Sequence, residues 1–76
     1  MLTPQQVIDS EYLVSRCALL EIAAMFDRYD LAVHRTAEAG QNTEKLECLR
    51  NAMALLAKSD VSDNRAEQLL HLFAQV

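Results

Sequence analysis

The one proline and the one glycine of this 76-residue chain stand at positions 4 and 40, and nothing between them is a helix breaker. Thr3-Pro4-Gln5-Gln6 reads as a capping box, with Thr3 at N-cap, Pro4 at the first helical position and Gln6 at N3. Leu2 and Val7 occupy the positions of a hydrophobic staple. Gly40 suits the left-handed residue that follows a helix. The spacing therefore predicts one helix over residues 4–39, roughly 54 Å long at 1.5 Å per residue. Its weakest point is "DRYD", residues 27–30, where two Asp and a Tyr lower the helix propensity without forcing a bend.

A helix this long dictates what the remaining residues can do. A second helix is expected over 43–58, beginning after Asn42 or Thr43. Its apolar stripe is Leu46, Leu49, Met53 and Leu56, widened by Ala52 and Leu55. "SDVSD", residues 59–63, is a turn. Ser62 or Asp63 should cap a third helix over 63–75 that buries Ala66, Leu69, Leu70 and Phe73. No alternating run is long enough for a strand. The expected fold is a single all-α domain, residues 1–76, with a long first helix and two shorter antiparallel helices. Helices of roughly 24 and 20 Å joined by short loops can lie only on the C-terminal half of the first. Residues from Val7 to about Leu19 are then left without cover from their own chain.

Those residues are not polar enough to be left wet. One broad face of the first helix carries Val7, Ile8, Leu19, Ile22, Met25, Phe26, Tyr29 and Val33. A narrower stripe carries Leu13, Cys17, Leu20, Ala24 and Leu31, spaced as a heptad seam. Asp9, Arg16, Asp27 and His34 flank it on one side; Glu21, Arg28 and Arg35 flank it on the other. The expectation is a homodimer whose interface includes Ile8, Tyr12, Leu13, Cys17, Leu20 and Ala24, and contact with another protein is compatible with the same surface. The size of the chain agrees, since a domain this small buries only about 60% of its unfolded surface and needs a further device. Cys17 and Cys48 are too few for a disulfide scaffold and form no zinc pattern.

Composition removes several function classes. The hydrophobic content of 51% and charged content of 24% describe a folded chain. A net charge of −4 with seven scattered Lys and Arg gives no phosphate-binding surface, so no nucleic acid is expected as partner. No apolar run is long enough to span a bilayer, and an acidic chain does not suit a membrane surface. No basic stretch precedes an apolar one at the start, so no secretory signal is expected, and with free thiols the expected compartment is the cytoplasm.

Candidate chemistry is confined to a few side chains. Asp30, His34 and Glu38 fall at i, i+4 and i+8 on the first helix, with Asp27 nearby, and Glu67 and His71 repeat the acid–histidine spacing on the third. A carboxylate/imidazole cluster built on Asp30, His34 and His71 could hold a metal or move a proton, which makes a small helical enzyme or metal binder the alternative function. Exposed pairs at this spacing are usually surface electrostatics worth about 0.2–0.5 kcal/mol, and the ferritin-like Glu-x-x-His pattern is absent. No cofactor or catalytic residue is assigned.

"LLEIAAMFDRYD", residues 19–30, with "RAEQLLHLF", residues 65–73, resembles short bacterial all-helical proteins. Their first helix reads Leu-Leu-x-Leu-Ala-Ala-x-x-Asp-Arg and their tail carries Arg-Ala-Glu. The resemblance draws attention to Asp27, Arg28, Arg65 and Glu67 but implies no activity and no role for them. The function expected from the residues is that of a small assembly or adaptor protein acting through protein–protein contacts.

Overall fold

The computed structural model describes residues 1–38, 40, 43–59 and 64–75. They form three helices, α1 (Pro4–Thr36), α2 (Glu44–Ala57) and α3 (Arg65–Phe73), and no strand. The all-α class expected from the sequence is thus what the chain adopts. None of the described helices is long and apolar enough to cross a membrane.

The start of α1 follows its sequence signature. Gln6 N–H donates to Thr3 Oγ1 at 3.2 Å, and Thr3 N–H donates to Gln6 Oε1 at 2.9 Å, so the capping box is complete with Pro4 inside it. Two of the helix's orphan donors are satisfied by this exchange. The helix then runs for 33 residues without a break at 27–30, about 50 Å at the standard rise.

Its end differs from the expectation. The helix stops at Thr36, and the left-handed residue is Ala37 (φ 56°), three positions before Gly40. Thr36 supplies the reason. Its hydroxyl donates to Ala32 O at 2.9 Å and accepts Glu38 N–H at 3.3 Å. A Thr side chain that competes for backbone groups in this way offers the chain an alternative to the next turn of helix. Glu38 therefore lies beyond the helix and does not extend the Asp30–His34 row.

The chain divides into two compact units, Met1–Ala39 and Gly40–Val76. The first is built on α1 alone. In the second, α2 and α3 contact each other. Thr43 is the N-cap of α2 but makes no side-chain capping bond; Glu44 and Glu47 place negative charge in the first turn, where the helix dipole favours it. Asn42, the other candidate cap, lies outside the described residues. The cap of α3 is Asn64, whose side chain accepts the N–H groups of Ala66 (3.0 Å) and Glu67 (3.4 Å). Ser62 and Asp63, the caps expected from the sequence, lie outside the described residues, and the helix begins two positions later than predicted.

Arg65 joins the two helices. Its guanidinium Nη2 donates to Lys58 O at the C-terminal end of α2. A cation is favoured there by the helix dipole, and the bond satisfies a carbonyl the helix leaves free. At the other end of α3, Phe73 lines a shallow groove with Lys45, Cys48 and Leu49 of α2.

These contacts set which faces are covered. Arg65, Gln68, Leu69 and Leu72 are half-buried, at i, i+3, i+4 and i+7, whereas Ala66 and Phe73 are exposed and Leu70 is 70% exposed. The expected face of Ala66, Leu69, Leu70 and Phe73 is thus rotated, keeping only Leu69. On α2 the buried residues are Cys48 and Ala52, with Leu46, Leu49 and Leu55 half-buried and Met53 and Leu56 exposed. The expected stripe thus holds at Leu46, Leu49, Ala52 and Leu55, fails at Met53 and Leu56, and left out the small, buried Cys48.

Candidate association surface on the first helix

The surface of α1 changes character along its length. Ile22, Ala24, Met25, Phe26, Tyr29 and Val33 are half-buried, whereas every residue from Pro4 to Leu20 is exposed. The exposed half is not polar. Ile8 is 58% exposed, Tyr12 61%, Leu13 65% and Leu20 60%, and Val14 and Leu19 are exposed with them. A helix gains most of its stability by packing an apolar face, and here that face is presented over more than four turns.

Two shallow grooves lie end to end on it. One is lined by Val7, Ile8, Glu11, Tyr12 and Ser15. The next is lined by Tyr12, Ser15, Arg16, Leu19, Leu20 and Ala23, and its walls are mostly apolar. Tyr12 and Ser15 belong to both. Of the six interface residues expected from the sequence, Ile8, Tyr12 and Leu20 line these grooves. Leu13 and Cys17 are exposed but line neither, and Ala24 is half-buried. Leu19, Ser15 and Ala23 were not among the six. Positions 8, 12, 15 and 19 repeat at intervals of 4, 3 and 4, but a polar Ser at the third of them hides the pattern from any count of apolar residues alone.

The titratable candidates are arranged differently. Asp30 and His34 are exposed on α1, and Asp27 and Arg28 with them. On α3, His71 Nε2 stands 3.8 Å from Glu67 Oε1, with both side chains at least 70% exposed. Such a surface pair contributes at most about 1 kcal/mol. Among the described residues no group of three or more His, Cys, Asp or Glu side chains is placed to hold a metal ion. Arg65, which the resemblance singled out without a role, has a structural one in holding Lys58 O.

Searches for related proteins add no constraint: no protein-family model, no curated protein and no solved structure matches the chain.

Proposed function

We propose that this chain is a small helical assembly or adaptor module of the cytoplasm that works through protein–protein contact, and that it first associates with a second copy of itself through the N-terminal half of α1. The observation that carries the proposal is the exposure of Ile8, Tyr12, Leu13 and Leu20, each more than half accessible, on a helix that forms a compact unit by itself. An apolar surface of this extent is an association site in a soluble protein. Arg65 reaching Lys58 and Phe73 lying beside Lys45 support an antiparallel pairing of α2 and α3. The free thiol of exposed Cys17 suits a reducing compartment.

Light scattering coupled to gel filtration tests this directly. The wild-type chain is expected to have the mass of two copies in the micromolar range. Burial of a leucine contributes about 1.5–3 kcal/mol. Leu20→Glu, which places a charge in the groove, should therefore give monomer or an unfolded chain. A wild-type mass of one chain over that range overturns the proposal.

A further inference from the structure

We propose that the two copies lie antiparallel along the Ile8–Tyr12–Ser15–Leu19 line, each placing its Tyr12 over the other's Ser15. This register rests on the self-association proposed above and adds which face is used and in which direction.

The grooves supply the first argument. Among the lining residues, Ile8, Glu11, Tyr12 and Ser15 stand at i, i+3, i+4 and i+7, and Tyr12, Ser15, Arg16 and Leu19 repeat the set four residues along the helix, with Val7 beside the first and Leu20 and Ala23 extending the second. Four residues so spaced form the hole that receives one side chain of a facing helix. The grooves thus contain two adjacent holes of this kind.

Direction follows from size. An antiparallel pairing is centred between Leu13 and Val14, on the exposed half of each copy. Tyr12 meets the second copy's Ser15, and Ile8 meets its Leu19, each twice by the two-fold axis. Parallel pairing sets Tyr12 against Tyr12 and Ser15 against Ser15, so one layer is crowded and the next is empty.

The flanking charges agree. Asp9 and Arg16 lie on the same side of this line, one heptad apart. In the antiparallel register Arg16 comes beside the second copy's Asp9, giving two opposite-charge pairs. On the other side Glu11 comes beside Ala18, so like charges do not face each other. Asp9 Oδ1 accepts Gln5 Nε2 at 2.9 Å, which leaves its second oxygen for a partner. Arg16 has no ion pair within its own chain among the described residues. A parallel register would instead set Glu11 beside the second copy's Arg16, so the charges suit pairing of two copies on this line and the size match sets its direction.

Cysteine pairing reads the register. Cys17→Ser removes the exposed thiol and is combined with either Ile8→Cys or Leu19→Cys. Under mild oxidation the mixture of the two proteins should form covalent dimer at least about tenfold more than either alone, because cysteines with Cα atoms beyond about 7 Å do not bridge. Bridging by each protein alone at the same level would show parallel pairing and overturn the register. So would absence of bridging while the Cys17→Ser protein is dimeric, which leaves the assembly proposal standing. A dimer lost on Cys17→Ser alone would put the contact on the Leu13–Cys17–Leu20 stripe and overturn it as well. Monomeric wild-type protein would overturn both proposals. Charge exchange gives a second reading that keeps Ile8, Tyr12, Ser15 and Leu19 intact. Arg16→Asp should weaken the dimer about tenfold, and Asp9→Arg combined with Arg16→Asp should restore it, since the two-fold axis loses or regains both pairs together. Loss without restoration overturns the register.

Discussion

Thr3 and Thr36 bound the long helix by different uses of one hydroxyl. Thr3 accepts an N–H that the helix start leaves free. Thr36 takes a carbonyl and an N–H at the other end and releases the chain from the helix. Thr3→Ala should cost about 0.5–2 kcal/mol, the usual worth of an N-cap. Urea denaturation followed by circular dichroism measures this, and an unchanged midpoint would mean that the first turn is frayed. Asp30 and His34 are solvated, with both side chains exposed on α1. Asp30→Asn and His34→Ala should each leave stability within about 0.5 kcal/mol, the range of surface substitutions. A loss equivalent to several kcal/mol, or loss of a bound metal found by elemental analysis of the wild-type protein, would contradict that reading and favour the metal-binding alternative.

The helices differ in how much of their sequence decided their packing. In α2 the buried residues are the small Cys48 and Ala52, one turn apart. Ala52→Leu adds volume at the most covered point of the second unit and should destabilise it by about 1–3 kcal/mol, as overpacking does. Leu70→Gln is the control: with Leu70 70% exposed, the change should fall within about 0.5 kcal/mol. Thermal denaturation of both variants checks the pair. Equal losses would restore Leu70 to the buried face that hydrophobic periodicity assigned to it. That assignment failed for a physical reason. Asn64 caps α3 and Arg65 is bonded to Lys58 O, and the side of the helix that carries Arg65 also carries the half-buried Gln68, Leu69 and Leu72.

At the scale of the whole molecule, half of the chain's residues are hydrophobic, yet among the described residues only Cys48 and Ala52 are buried. Folding against conformational entropy depends on apolar burial, and two small side chains are a slight core. Stability should therefore be shared with association. When folding and association are linked, the melting temperature rises with protein concentration. A rise of about 3–6 °C for each tenfold increase is expected for a dimer of this size. A melting temperature independent of concentration from the micromolar to the millimolar range would assign all of the stability to the single chain.

The sequence by itself determined the helical class, the entry to α1 and the excess of apolar surface on its first half. These depend on local exchange of hydrogen bonds at Thr3 and Gln6 and on the absence of any breaker between Pro4 and Gly40, which neighbours in sequence settle. It also marked Ile8, Tyr12, Leu13, Cys17 and Leu20, all of which are exposed. Tertiary structure decided the rest. Periodicity ranks faces by the size and polarity of their side chains, and a small residue such as Cys48, buried on α2 beside the expected Ala52, does not stand out in it. On α3 the covered face is that of Arg65, Gln68, Leu69 and Leu72, and its Arg65 is bonded to a carbonyl seven residues earlier, a contact across the turn that no periodicity of apolar residues contains.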